Sequence, residues 1–266
     1  MLAAWVECVW RLCGETTAAP VEPILPDGCV EIILHRGSSA RRDGRPQPRA
    51  FVVGQMDQAI RIEPARSIDA IGVRLQPWAA HAFFGLPADE LTGSFPELES
   101  VAGKWARELS QEVGNSAEPL ERARVLVERR IRDCATPDVS ARRAVERILR
   151  GRGKGRVEDW AEDSGISFRH WERRFLQAVG VSPKVFARII RFQELISAYR
   201  REDWRSWADL ALDCGFYDQS HMSNEFRRFA GVAPTEFFAN VPALAQVFLR
   251  EGRLSDFSKT ASAIVR

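Results

Sequence analysis

Arg169 and Arg173 stand four residues apart, with His170 and Glu172 between them. Four residues is about one helical turn, so the two arginines share a face. A guanidinium fork matches the O6 and N7 acceptors of guanine, and a carboxylate such as Glu172 accepts from the N4 amino group of cytosine. A second polar set, Gln219, Ser220, His221 and Asn224, follows downstream. The carboxamides of Gln and Asn suit adenine. Lys184, Arg228 and the free N–H groups at helix starts are candidates for phosphate. The chemistry on offer is hydrogen bonding to base edges and backbone of duplex DNA.

Each set needs a helix to carry it. In GFYDQSHMSNEFRRFAGVAP, residues 215–234, Met222, Phe226 and Phe229 fall on one face at helical spacing. Ser220, Asn224 and Arg228 recur every fourth residue on the opposite face. Gly215 predicts a turn, Asp218 an N-cap, and Gly231 with Pro234 a helix end. Upstream, GISFRHWERRFLQAVGVSP (165–183) repeats the pattern: Trp171, Phe175, Gly180 and Pro183 precede Met222, Phe226, Gly231 and Pro234 by 51 residues each. The preceding stretches also match, Val157, Trp160, Ala161 and Ser164 against Trp207, Leu210, Ala211 and Cys214, at an offset of 50. The spacing predicts two helix–turn–helix units in tandem. A spacer helix over 183–199, with Val185, Ile189, Phe192 and Ile196 as its inward stripe, would join them.

These residues carry a resemblance. GFYDQSHMSNEFRRFAGVAPTEF resembles the second helix–turn–helix of the AraC/XylS family of transcription regulators. The first unit, its SP turn and the spacer helix resemble the rest of that family's DNA-binding domain, over about 140–240. Phe192 and Trp207 depart from it, standing where the family usually has a smaller aliphatic residue and isoleucine. The resemblance implies that Arg169, Glu172, Arg173, Gln219, Ser220, His221 and Asn224 fall on base-reading positions. It also implies a sequence-specific DNA-binding regulator, and two helices reading successive major-groove segments.

The N-terminal half has a different texture. WVECVWRL alternates, and over 30–35 Val30, Ile32 and Leu34 share one face while Glu31, Ile33 and His35 share the other. FVVGQ, AIRIEP and IDAIGVRL continue as short strands, with 36–49 as an exposed basic loop. PWAAHAFFG predicts a short helix ending at Gly85, and 98–113 with 119–134 a helical pair. The segment 135–138 marks a domain boundary, a helix over 142–150 leads the second domain, and GRGKG at 151–155 reads as a hinge. WVECVWRL, LPDGCVEIIL, AFVVGQ and GVRLQPWAAHAFFG followed by LTG resemble an N-terminal domain of unknown function found joined to AraC-type domains. That resemblance implies a regulatory module.

The expected architecture is α+β. Residues 1–135 form a small β-barrel or rolled sheet with a helical pair, 138–240 an all-α DNA-binding domain, and 241–266 a tail. The net charge is +2, with 18 Lys/Arg against 14 Asp/Glu over 139–240, which permits nucleic acid without arguing for it. Five cysteines without metal-type spacing read as buried thiols in a reducing cytosol. MLAAWVECVW lacks a basic n-region and carries Glu7, and no run approaches ~20 apolar residues, so the expectation is a cytoplasmic protein without membrane segments.

No enzyme is expected: Glu31 and His35 are a ligand pair without a third partner, and neither a GxSxG nor a PCHR-like cysteine occurs. No cofactor or metal is expected either. Duplex DNA is the expected partner, and RNA polymerase, a small-molecule effector and a second copy of the chain are further candidates. Trp5, Trp10, Phe51 and Trp78 are aromatics that would fill a core rather than line a pocket. The competing reading is a ligand-independent architectural protein whose N-terminal domain only mediates protein contacts.

Overall fold

The computed structural model describes residues 2–15, 21–241 and the backbone of 261–265. Its strands are β1 (Val6–Glu15), β2 (Glu22–Ile24), β3 (Glu31–His35), β4 (Arg41–Arg42), β5 (Arg45–Pro46), β6 (Ala50–Val53), β7 (Ile60–Ile62), β8 (Ser67–Leu75) and β9 (Ala261–Val265). The main sheet runs β6-β3-β8-β1-β9, antiparallel except where β9 lies parallel to β1. Apart from β9, the expected tail lies outside the described residues.

The sheet stays open. β2 and β7 have three residues each and pair only with one another, so the sheet edges are not joined into a closed barrel. Of the two expected forms, barrel or rolled sheet, the closed one is not formed. The 36–49 loop also differs from expectation, because it contains the β4–β5 hairpin. Asp43 and Gly44 both take positive φ (53° and 71°), which the tight hairpin turn requires.

Alternation in β3 sends Ile32 and Leu34 to one face and Ile33 to the other, and both faces are buried. The first face, with Val9, Val52 and Val73, packs on the helices; the second holds a smaller cluster of Cys8, Trp10, Leu12, Ile33, Phe51 and Ala70. Gly72 lies opposite Trp10 in the sheet, where a Cβ would come within 2.0 Å of the indole. Only a residue without a side chain lets that ring cross the strand. Its Nε1 then donates to Glu31 at 2.9 Å.

The helices are α1 (Ala80–Phe84), α2 (Leu98–Asn115), α3 (Pro119–Arg132), α4 (Val139–Arg150), α5 (Val157–Ala161), α6 (Phe168–Val179), α7 (Pro183–Arg201), α8 (Trp207–Asp213), α9 (Gln219–Ala230) and α10 (Pro234–Ala239). One apolar cluster runs from the sheet through Phe83 and Leu109 to Trp171, Phe186 and Phe226. The helices of both repeats therefore share a core with the sheet. α7 buries three of the four residues of its expected stripe, Ile189, Phe192 and Ile196, and also Phe186, Ile190 and Leu195, while Val185 is only half-buried. A second buried side exists because the β-rich part packs against it. Of the four aromatics, Trp5 and Trp78 join this core, Trp78 donating to Ala4 O at 3.1 Å. Trp10 and Phe51 instead border a cavity on the second face of the sheet.

Residues 151–155 are not a hinge. Gly153 N–H donates to Ile148 O at 2.8 Å, and Lys154 Nζ reaches Asp213 O. The segment is wedged between α4, α7 and the end of α8.

Asp138 ties the start of α4 to α6. Its Oδ1 caps α4 by accepting from Ala141 N–H at 2.9 Å, and its Oδ2 pairs with Arg174 Nε at 2.6 Å. Partial burial opposes its charge, but the bonds from Ser140, Ala141 and Arg174 hold the carboxyl below its ordinary 3.8. A depressed carboxyl pKa contributes stability that is complete above about pH 4 and lost as pH falls through the folded value. Asp138→Ala is expected to cost about 1–2 kcal/mol at neutral pH. The difference from the parent should shrink in urea unfolding at about pH 3; an unchanged difference there would refute the assignment.

Candidate nucleic-acid interface

The tandem repeat is built as its spacing requires. α6 and α9 have 12 residues each and end at Gly180 and Gly231, both left-handed (φ 94° and 79°). An L side chain at either C-cap would be strained, which is why glycine recurs there. Asp218 caps α9 through His221 N–H at 2.7 Å, and Ser206 caps α8 through Asp209 N–H at 3.1 Å. Trp171 and Phe175 on α6, and Met222, Phe226 and Phe229 on α9, are buried.

Burial of those faces leaves the opposite ones in water. Arg169, His170, Glu172 and Arg173 are exposed on α6; Gln219, Ser220 and Asn224 are exposed on α9, as are Lys184 and Arg228. Among the described residues, Arg169, Glu172 and Arg173 form no ion pair with one another or with neighbours. His221 is half-buried instead. Its ring packs edge-on against Phe216, with centroids 5.7 Å apart, and Nδ1 accepts from Tyr217 N–H at 3.2 Å. That bond leaves the proton on Nε2, so the outward nitrogen of the neutral ring is a donor. Tyr217 is 85% exposed beside the start of α9.

The groups that aim these faces escaped sequence reasoning. Arg188 on α7 grips Glu225 on α9 with two bonds of 2.5 and 2.6 Å, fixing the second unit on the spacer. The β-rich part holds all three helices. Thr92 Oγ1 donates to Gly180 O at 2.6 Å, Gln193 Nε2 to Pro26 O at 2.5 Å, and Ala59 N–H to Phe229 O at 2.8 Å. Caps such as Asp218 and Ser206 bond within three residues and carry a local signal, and Asp218 is read from it; the partners of Arg188, Thr92, Gln193 and Ala59 lie far off in sequence. His35 and Glu31, the expected weak ligand pair, bond elsewhere: His35 Nε2 to Gln47 Oε1 at 3.2 Å, and Glu31 to Arg74 Nε at 2.8 Å.

Two helix–turn–helix units, each with an open polar face, define a DNA-binding transcription regulator. Residues 160–240 match the family described as helix-turn-helix domain, and residues 1–97 match a domain of unknown function, DUF6597. The chain carries a DNA-binding domain of the AraC type behind that N-terminal domain. Among solved structures it is similar to ToxT from Vibrio cholerae, 13% identical over 87% of this chain and 98% of that one, with a TM-score of 0.48. The C-terminal domain of AraT, a response regulator from Geobacillus stearothermophilus, is 22% identical over 38% of this chain and 84% of that one, TM-score 0.35. The DNA-binding domain of the global transcriptional factor AdpA, in complex with a target DNA, is 23% identical over 43% of this chain and all of that one, 100%, TM-score 0.34. No curated protein matches the chain. No described helix is long and apolar enough to cross a membrane.

Proposed function

We propose that the protein is a sequence-specific, one-component regulator that reads two successive major-groove segments and changes its DNA affinity when its N-terminal part binds an effector. The observation that carries this reading is the pair of matched, outward polar faces held by one spacer helix. α7, with 19 residues, is about 28 Å long at ~1.5 Å per residue, close to the ~34 Å of a turn of B-DNA.

In this reading Arg169 and Arg173 address guanine, Glu172 accepts from cytosine, and His170 lies alongside. Gln219 and Asn224 address adenine, Ser220 supplies a hydroxyl, and His221 offers its Nε2–H. Lys184 and Arg228 take phosphates. The effector response is supported by the three contacts through which the β-rich part holds α6, α7 and α9. A movement of those contacts would change the relative setting of the recognition helices. The domain division near 135–138 and a location in the cytoplasm belong to the same proposal, as do contact with RNA polymerase and pairing with a second copy.

Binding-site selection with the full chain, compared with Arg173→Ala and Asn224→Ala, tests it. Each variant is expected to lose ~1–3 kcal/mol on the selected site and to relax preference at separate positions. Identical preferences in all three proteins would overturn the assignment of these faces.

A further inference from the structure

The second face of the main sheet does not pack solidly against its cover. Between it and the small β2–β7 pair lies a cavity of about 710 Å³, which extends to α3 and α7. That volume is in the range of small-molecule sites. Ile33, Phe51 and Val53 from the sheet, and Ile24, Ile60 and Ile62 from the cover, give it an apolar wall.

The polar end of the cavity is out of balance. Glu7, Asp27 and Glu31 all border it, and the buried cation among them is Arg74. Arg74 pairs with Asp27 at 2.7 Å and with Glu31 at 2.8 Å, so one guanidinium serves two carboxylates. Glu31 takes both of its bonds, from Trp10 and Arg74, on Oε1, which leaves Oε2 without a donor among the described residues. Among the described residues Glu7 is engaged only at Oε2, by the Cys29 thiol at 3.2 Å. Burial lifts the Asp27 carboxyl to about 6 against the pull of Arg74, with Glu31 pushing it further up. From the helical side the cavity also meets Glu128, Arg200, which is exposed, and Arg124, which pairs with Glu121 at 3.6 Å. Neither of those arginines is ion-paired with Glu7, Asp27 or Glu31, which are half-buried.

Unbalanced carboxylates in a low-dielectric pocket attract positive charge and repel anions. Trp10 and Phe51 border the same space, and aromatic faces favour organic cations. We propose that this cavity is a binding site for a small organic cation with an apolar body, an amine or a quaternary ammonium. Its head lies among Glu7, Asp27 and Glu31, and its body lies against Ile33, Phe51 and Ile62.

The site also touches the DNA-reading apparatus, and this part rests on the effector-responsive function proposed for the chain. Asp27 sits between Pro26, whose carbonyl accepts from Gln193 of α7, and Gly28, whose Cβ position is 2.9 Å from the Phe186 ring of α7. A cation that engages Asp27 therefore bears on the helix that spaces α6 and α9.

Three probes with one body and different heads test the site on the full chain by calorimetry: phenylpropylamine, phenylpropanol and phenylpropanoate. The amine is expected to bind about tenfold or more tighter than the alcohol, and the acid more weakly than either. Glu7→Gln keeps an acceptor for Cys29 and removes one charge, so the amine should lose about tenfold while the alcohol is unaffected. Ile62→Trp, which fills the space, should abolish binding of both. Equal or tighter binding of the acid, no binding of the amine at millimolar concentration, or an unchanged amine affinity in Glu7→Gln would each overturn the cation assignment. Anisotropy on the selected DNA separates the two readings. Amine binding without any change in DNA affinity removes the regulatory link and leaves the site standing, whereas failure of the unliganded chain to select DNA strikes the DNA reading alone.

Discussion

Phe192→Ala is expected to lower the unfolding free energy by ~3–5 kcal/mol. Phe192 is 1% exposed, and its ring centroid lies 5.1 Å from that of Phe226 and 5.3 Å from that of Phe229. It joins the spacer helix to α9, and both aromatic contacts vanish with the ring. A domain of this kind is stable by about 5–15 kcal/mol, so the loss is a large share of the total. Phe192→Leu keeps most of the volume and should cost less than ~1.5 kcal/mol. Urea unfolding of both variants, with DNA binding measured alongside, checks the assignment. A loss below ~1 kcal/mol for the alanine variant would mean that the ring does not hold the two helices together.

Gly153→Ala should cost ~2–4 kcal/mol, from the left-handed backbone and from overpacking together. Gly153 has φ 75°, and a Cβ there would stand 2.3 Å from Ala187 O and 2.8 Å from Arg191 N. Gly44 is the control: its φ is 71°, yet nothing lies within 4 Å of its Cβ position. Gly44→Ala should show the backbone strain alone, ~1–2 kcal/mol. If 151–155 were a hinge, the two substitutions would cost the same in urea unfolding. The close approach to α7 makes them differ, and it makes this joint fix the first unit on the spacer.

Much of the helical half was legible in the chain. The 51-residue offset fixes two matching helices, and the capping Asp218 and closing Gly231 fix where the second begins and ends. The alternation of β3 was legible too, since side-chain direction along a strand depends only on neighbours. Less was legible where partners are remote. Arg188 and Glu225 are 37 residues apart, Thr92 and Gly180 are 88, and Gln193 and Pro26 are 167. Nothing local marks either member of such pairs. His221 shows the same limit at short range: its spacing put it on the polar face, while the fold also uses Nδ1 to hold the turn.

The sequence by itself determined two amphipathic helices, their polar faces and the strand-rich start, because periodicity and capping act within a turn or a strand. Tertiary structure alone decided that the sheet stays open, that residues 151–155 are wedged rather than hinged, and that Glu7, Asp27, Glu31 and Arg74 converge on one cavity. Those outcomes depend on which distant surfaces exclude water from one another, and on charges that meet only after the chain has closed.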